Sequence, residues 1–216
     1  MKKILIACEY SGIVREAFRK EGLDAYSCDI LGTDIKGKHI QGNVLEYLNN
    51  DWDAMIAFPP CTFLSYAGMA FWEDEKRVMK RIQAAYFFMQ LWTAPIRFKA
   101  IEQPQGIMNK IFRQPNQVIH PYYFNEPQLK RTGLYLHNLP QLKYNLIPTL
   151  FDNQTACKKP SPAQKAICKS TGKMKNRYFT DGFVNNRLKT AHEKSRTFKS
   201  IAKAMAEQWA PIILYS

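Results

Sequence analysis

The sequence predicts an α/β fold, with a mostly parallel β-sheet that carries helices on both faces. Short apolar runs alternate with longer segments of helical periodicity, which is the order expected when helices connect parallel strands. Hydrophobic residues make up 46% of the 216 positions and charged residues 23%, as in ordinary globular domains. A chain of this length has room for one substantial core and a small additional segment.

The first half of the chain contains the clearest alternation. The apolar run after Met1 resembles the start of a signal peptide, but it stops at Glu9 and therefore predicts a strand over Lys3–Cys8. The segments that follow predict a helix over Ile13–Glu21, a second strand over Ala25–Cys28 and a further strand over Asp53–Phe58.

The second half continues this order and then loses it. Glu75–Trp92 predicts a long helix whose buried face carries Val78, Ile82, Ala85, Tyr86 and Met89. Later segments predict a strand from Ala100 to Pro104, two neighbouring strands at Val118–Phe124 and Gly133–His137, and a final helix over Ser195–Trp209. Residues 143–192 lack such periodicity. They predict a small loop-rich segment between a catalytic domain (1–142) and a C-terminal helix (193–216) that packs back on it.

Positive charge is concentrated in the second half. The formal net charge is +13, and residues 141–200 hold 13 Lys or Arg against three acidic residues, a net +10. A basic stretch with interleaved aromatics is typical of a surface that binds a phosphate backbone, and a solvated basic loop is the alternative. The candidate contacts there are Lys158, Lys159, Lys173, Lys175 and Arg177. Pro and Gly interrupt the segment, and no run approaches the ~18–20 apolar residues of a membrane span, so a membrane partner is not expected.

The five cysteines do not suggest a disulfide framework. They lie at positions 8, 28, 61, 157 and 168, and their odd number suits a reducing cytoplasm. Cys157, Cys168 and His192 lack the close Cys-x₂₋₄-Cys pair of a structural zinc site, so we predict no metal.

The most informative motif is Pro59-Pro60-Cys61, at the end of the apolar run Asp53–Phe58. Two prolines end a strand, and ligands of open α/β sheets bind at the carboxyl ends of the strands. Cys61 is therefore a candidate nucleophile; a buried structural cysteine is the alternative. Glu102 lies near the end of the next predicted strand, about 4.8 Å away in a parallel sheet, so both side chains can reach one small ring. A thiolate that adds to C6 of a pyrimidine and an acid that binds N3 make C5 nucleophilic enough to accept a methyl group.

The first strand-to-helix turn, Ala7–Gly12, is where a nucleotide-type cofactor meets backbone amides. It has a single glycine, so neither a dinucleotide fingerprint nor a phosphate-binding loop is supported. Asp29, about 20 residues later, suits ribose hydroxyls. Asn43 lies where adenine contacts are common, with a turn asparagine as the favoured alternative.

Together these motifs resemble the DNA cytosine-5 methyltransferases, and more closely the short cytosine methyltransferase-like proteins encoded by phages and prophages. The resemblance covers most of residues 1–142 and again 193–209. It is carried by Ile4–Gly12, Asp29, Pro59-Pro60-Cys61, Glu102-Gln103-Pro104, Gln128-x-Lys130-x-Thr132 and Ser195-Arg196-Thr197.

The resemblance implies a seven-stranded Rossmann-like sheet with a late antiparallel strand, and S-adenosylmethionine as the methyl donor. It implies Cys61 as nucleophile, Glu102 at the cytosine and Lys130 at the base or its phosphate, with Arg131 as a further nucleic-acid contact. The expected cofactor residues are Cys8, Glu9, Tyr10, Ser11, Gly12, Asp29, Ile30, Asn43, Val44, Pro59, Ser195 and Thr197.

Four features depart from the family pattern. Gln103 replaces an Asn, the first motif lacks its Phe-x-Gly-x-Gly, and Lys130 and Thr132 replace two arginines. Residues 143–192 stand where the family has a much larger target-recognition domain, which predicts recognition that is either short and backbone-driven or shared with a second protomer or another partner. The sequence thus predicts a DNA cytosine-5 methyltransferase acting on double-stranded DNA. A non-catalytic nucleic-acid-binding or regulatory protein on the same scaffold, or an RNA cytosine-5 methyltransferase, is the alternative.

Overall fold

The computed structural model describes residues 1–66, 74–144, 159 and 196–216. It also describes the backbone of four short strands: β8 (Gln164–Ile167), β9 (Met174–Arg177), β10 (Phe183–Val184) and β11 (Arg187–Leu188). The predicted sites Lys158, Lys173, Cys157, Cys168 and Ser195 lie outside the described residues, as do the side chains of Lys175 and Arg177. β8 pairs antiparallel with β9, and β10 with β11. The division of the chain at 142 and 193 stays a prediction.

Seven strands form one sheet in the order β3-β2-β1-β4-β5-β7-β6. They are β1 (Lys3–Ala7), β2 (Asp24–Asp29), β3 (His39–Gln41), β4 (Ala54–Ala57), β5 (Phe98–Pro104), β6 (Gln117–Ile119) and β7 (Thr132–His137). β7 runs antiparallel to both of its neighbours, whereas the other adjacent strands are parallel. This confirms the predicted mostly parallel seven-stranded sheet with a late antiparallel strand.

Helices cover both faces of the sheet. They are α1 (Ile13–Lys20), α2 (Glu75–Thr93), α3 (Met108–Ile111) and α4 (Lys199–Leu214). Ile4 and Ile6 of β1 belong to the hydrophobic cluster under α1 and α4, whereas Leu5 belongs to the cluster under α2. Alternate residues of the strand face opposite sides, and both sides are buried. The strand therefore reads as an uninterrupted apolar run in the sequence.

The predicted buried face of α2 is wrong. Val78, Ile82 and Tyr86 are 36%, 56% and 66% exposed, and the helix instead buries Phe88 and Leu91 against the sheet. Apolar residues occur around most of this helix, so their spacing predicts a helix but does not select the side that packs.

Two other predicted elements differ at their ends. β6 stops at Ile119, because Pro121 begins a 3₁₀ turn over Pro121–Phe124 in place of the predicted strand. The last helix begins at Lys199 and continues through Pro211 to Leu214. Within the part of the chain that the structure describes, no helix is long and apolar enough to span a bilayer.

Candidate active site

A cleft of about 600 Å³ opens at the carboxyl edge of the parallel strands. The ends of β1, β2, β4 and β5, the start of β7 and the segment before α4 all contribute to its walls, as the topology of an open α/β sheet dictates. Thirteen of the predicted residues line it: Cys8, Glu9, Tyr10, Ser11, Asp29, Ile30, Asn43, Val44, Pro59, Cys61, Glu102, Lys130 and Thr197. One cavity therefore joins the predicted catalytic and cofactor-binding residues.

The turn that carries Cys61 is tied to the sheet and to its own following residues. The amide of Gln103 donates to the Pro59 carbonyl over 2.9 Å, and the Cys61 carbonyl accepts from the backbone N–H of Leu64 and Ser65 at 3.1 and 3.0 Å. These bonds hold the thiol-bearing residue at the end of β4, beside the strand that carries Glu102.

Cys61 differs from the other cysteines that the structure describes. Cys8 is half-buried and Cys28 buried, whereas Cys61 is exposed to the cleft. Burial raises the pKa of the Cys28 thiol to about 11 and raises that of Cys8 further. The walls of the cleft partly desolvate the Cys61 thiol as well and raise its pKa; the charge of Glu102 adds to this, and the charge of Lys130 opposes it. At neutral pH the resting Cys61 is a thiol.

Glu102 and Lys130 form an ion pair at the centre of the cleft. Nζ of Lys130 lies 3.7 Å from Oε1 of Glu102 and 5.8 Å from the centre of the Phe198 ring. The side chain of Glu102 is 15% exposed and that of Lys130 is 38% exposed, so water reaches the pair and each group remains available to a ligand.

The opposite half of the cleft contains two acidic side chains. Glu9 is 3% exposed; one carboxylate oxygen accepts from Ser11 Oγ and, at 3.0 Å, from the backbone N–H of Ile13. Its other oxygen, Oε2, is buried with no hydrogen-bond partner among the described residues. Burial raises the pKa of Glu9, and the bond from Ser11 lowers it. Asp29 accepts from the backbone N–H of Leu31 at 2.9 Å and faces the same cavity.

The donor and acceptor groups of this half suit a ligand that carries an ammonium group and ribose hydroxyls. A buried acceptor without a partner suits an ammonium group, and a carboxylate at the end of β2 suits ribose hydroxyls. Apolar side chains beside Asp29 provide a surface for a flat ring, with Ile30 74% and Leu31 47% exposed.

Two predicted cofactor residues have clear structural roles. The side chain of Asn43 accepts from the Leu45 N–H at 3.2 Å, so it caps a 3₁₀ turn as well as lining the cleft. Gly12 is not among the lining residues; it begins α1 with φ +75°, and a Cβ there would lie 2.7 Å from the guanidinium of Arg15.

Several lining residues were not predicted. They are Cys28, Leu31, Gly42, Phe58, Pro60, Thr62, Phe87, Thr132, Phe198 and Ile201. Most of them are adjacent in sequence to predicted residues, and this adjacency could have identified them as lining residues. Phe87 comes from α2 and had none. Arg196 was also missed as a contact: it forms a 2.8 Å ion pair with Asp34 and so joins the segment before α4 to the loop after β2.

Among the predicted nucleic-acid contacts, Lys130, Arg131 and Lys159 are described. Lys130 lines the cleft, and Arg131 and Lys159 are exposed. No group of three metal-ligating side chains occurs within the described ranges.

The strand order, with β7 reversed, and the cleft at the carboxyl edge define a Rossmann-like fold of the methyltransferase type. No family model and no curated protein matches the sequence. Among solved structures the chain is similar to a proposed DNA modification methyltransferase encoded within an E. coli prophage, at 14% identity and a TM-score of 0.45, covering 70% of this chain and 52% of that one.

Two further structures share the likeness. They are the Entamoeba histolytica methyltransferase EhMeth (11% identity, TM-score 0.42, 74% of this chain and 58% of that one) and the S. pombe Dnmt2 methyltransferase (14%, 0.38, 65% and 50%). The chain thus spans little more than half the length of these structures. Likeness at this level assigns no activity to the chain.

Proposed function

We propose that the protein is an S-adenosylmethionine-dependent methyltransferase that modifies C5 of a cytosine in DNA through a covalent adduct with Cys61. One observation carries this proposal: Cys61, the exposed cysteine among the described residues, shares a cleft with Glu102 from the neighbouring strand and with Asp29 from the nucleotide-type half.

The chemistry follows from these side chains. Sγ of Cys61 forms a bond to C6 of an extruded cytosine, and electron density moves toward C5; the thiol proton passes through water to N3, which donates it in a hydrogen bond to the Glu102 carboxylate. S-adenosylmethionine, when bound, supplies the methyl group as a sulfonium and leaves as the thioether. A base or water then removes the C5 proton, the C6–S electron pair returns to sulfur, and Cys61 leaves as thiolate.

Because the resting Cys61 is a protonated thiol, the proposed reaction must include a step that deprotonates it. Because burial and Glu102 raise the pKa of Cys61, attack requires loss of the thiol proton once the base has entered. Lys130 acts in the favourable direction, since its positive charge stabilises the thiolate. A base bound between Cys61 and Glu102 would also engage the carboxylate whose charge opposes ionisation.

The cofactor would be held by the opposite half of the cleft. Asp29 would accept from the ribose hydroxyls, the unpartnered Oε2 of Glu9 from the ammonium group, and Thr197 would close the cleft from the segment before α4. The substrate class is supported by charge: Lys130 in the cleft, the exposed Arg131 next to it in the sequence, and the net +10 of residues 141–200 suit a phosphate backbone. Double-stranded DNA is the proposed partner, with recognition shared with a second protomer or an accessory protein.

The test is base-resolution mapping of 5-methylcytosine in plasmid DNA from a methylation-free host that expresses the chain. Wild type should methylate cytosine in a short fixed context, and Cys61→Ser should abolish the mark while S-adenosylmethionine binding, measured by calorimetry, stays near normal. Cys28→Ser in the same cleft should retain the mark, because Cys28 is buried beside the cofactor half. Persisting methylation in Cys61→Ser would refute the nucleophile. Unmodified DNA from a protein that binds the cofactor would replace the DNA proposal with an RNA substrate or a binding-only role.

A further inference from the structure

A continuous cluster of aromatic rings lies beside the cleft. It consists of His120, Tyr122, Tyr123, Phe124 and Tyr144, and we call it the aromatic cluster. Contacting rings have centroids between 4.5 and 5.6 Å apart, with both tilted and edge-to-face pairs. Tyr123, Phe124 and Tyr144 also pack against the hydrophobic core, whereas Tyr122 does not. Tyr122 shares a side-chain hydrogen bond with Tyr123, and its ring contributes least to the packing of the core.

Strand topology places this cluster at the catalytic edge of the sheet. β6 and β5 are both antiparallel to β7, so the carboxyl end of β6 faces the same way as the strand ends that form the cleft. Ile119 is paired with Thr132, and continuing that register sets His120 beside Arg131. The residue before Arg131 is Lys130, which lines the cleft. The aromatic cluster thus begins at the rim of the cleft.

Two cations accompany the rings. The strand register sets Arg131 beside His120; burial lowers the pKa of His120, and the positive charges of Arg131 and Lys159 act in the same direction. The same two charges act on Tyr123, whose pKa is raised by burial. Glu126 brings a negative charge to this region, but its carboxylate accepts from the Ser200 hydroxyl at 2.7 Å, at the start of α4.

Packing alone does not account for this arrangement. Nδ1 of His120 is buried and has no hydrogen-bond partner within the described part of the chain, which is uncommon for a purely structural side chain. Tyr144, which belongs to this cluster, is followed in the sequence by residues 145–158 of the basic segment. Rings together with cations, next to a cleft for an extruded base, are the elements of a single-strand binding platform: cations follow the phosphates, and rings stack on unpaired bases.

We propose that the aromatic cluster, with Arg131 and Lys159, binds the nucleotide that flanks the target cytosine and stacks its unpaired base against Tyr122. This rests on the proposed function, because it takes nucleic acid to be the substrate. It implies that the duplex also opens at the nucleotide beside the target, so DNA with an unpaired nucleotide there should bind more tightly than a fully paired duplex. A base that is paired and stacked within a duplex does not offer its face to a side chain.

The test is equilibrium binding of a labelled single-stranded DNA and of its duplex, followed by fluorescence anisotropy at several salt concentrations. Tyr122→Ala should weaken single-strand binding about 10-fold and duplex binding less, because a base–aromatic stack is lost. Tyr122→Phe keeps the ring and loses only the hydroxyl that is bonded to Tyr123, so it should keep most of the wild-type affinity. Tyr86→Ala removes a tyrosine that is 66% exposed on α2 and should have no effect. Arg131→Gln should lower the slope of log K against log salt by about one, as expected for one phosphate contact.

Equal affinities for Tyr122→Ala and Tyr86→Ala would overturn the inference, and so would equal losses on single strand and duplex. Measuring 5-methylcytosine formation by the wild-type protein in parallel separates the two proposals. Methylation with an unaffected Tyr122→Ala variant would refute the stacking site alone. A Tyr122-dependent affinity without methyl transfer would refute the catalytic proposal and leave the binding surface supported.

Discussion

Gly106 fixes the segment that follows Cys61, and replacing it with alanine tests whether that placement matters for catalysis. Gly106 forms a bridge with Ser65, and the backbone N–H of Ile107 donates to the Leu64 carbonyl at 2.8 Å. A Cβ on Gly106 would lie 1.9 Å from the Leu64 oxygen, a backbone atom that cannot rotate away. Ordinary contact begins near 3.4 Å, so the strands of this loop must separate by roughly 1.5 Å.

This displacement sets the expected magnitudes. Forcing a methyl group into a filled space costs about 1–3 kcal/mol of unfolding free energy. A shift of about 1 Å in the nucleophile turn is expected to lower kcat/KM about 100-fold, because covalent attack depends on position at that scale. Affinity for S-adenosylmethionine should change little, since Asp29 and Glu9 lie in the other half of the cleft.

The assay compares methyl transfer from labelled donor, donor affinity by calorimetry and thermal unfolding for wild type, Gly106→Ala and Gly32→Ala. Gly32 is the matched control: its added Cβ would meet the Gln41 side chain at an ordinary 3.6 Å. Wild-type kcat/KM in a folded Gly106→Ala protein would refute the claim that this contact positions Cys61. An equal loss in both variants would show that the effect is not steric.

Three further outcomes are expected. Alkylation of Cys61 by iodoacetamide, followed by mass spectrometry, should become faster as the pH rises. Glu102→Gln should move this pH profile to lower pH and Lys130→Gln should move it to higher pH, because the charge of Glu102 raises the pKa of Cys61 and the charge of Lys130 lowers it. Shifts of the opposite signs would contradict these electrostatic effects. Gln103→Leu removes the 2.9 Å hydrogen bond to the Pro59 carbonyl and leaves that acceptor unpaired, so the free energy of unfolding should fall by about 1–3 kcal/mol. Turnover should also fall, while affinity for the methyl donor is retained. Unchanged turnover would exclude a role of Gln103 in positioning Cys61. Arg196→Ala breaks the exposed ion pair to Asp34, so the free energy of unfolding should change by less than about 1 kcal/mol. The methyl donor should dissociate faster from this variant in stopped-flow displacement. An unchanged dissociation rate would show that the ion pair does not help to retain the cofactor.

The strand ends were predictable because few physical rules determine them. A buried parallel strand must be apolar along its length, and a proline or a polar residue must end it, so β1, β4 and β5 could be read from composition. Since the carboxyl ends of parallel strands share one edge, the proximity of Cys61, Glu102 and Asp29 followed from their positions alone.

Features that depend on tertiary contacts were not predictable in this way. β3 has three residues and no apolar run, so it exists through its pairing with β2. The guanidinium of Arg15 is fully buried and bonds to Ser27, Thr33 and the Ile35 carbonyl, yet an arginine in an amphipathic helix normally predicts a solvated side chain. Long-range polar partners of this kind leave no periodic signal.

The two halves of the cleft differ in how their acidic side chains are neutralised. In the half that we propose to be catalytic, the charge of Lys130 opposes that of Glu102 and favours the Cys61 thiolate, so the proposed pyrimidine would enter beside a partly neutralised carboxylate. In the other half, Glu9 is buried near the positive charge of Arg15, and one of its carboxylate oxygens has no hydrogen-bond partner among the described residues. A buried hydrogen-bond acceptor without a donor destabilises the folded protein, so a cationic ligand that donates to this oxygen would bind more favourably. This distribution of charge is the one expected if, as we propose, a positively charged methyl donor binds on one side and a neutral base on the other.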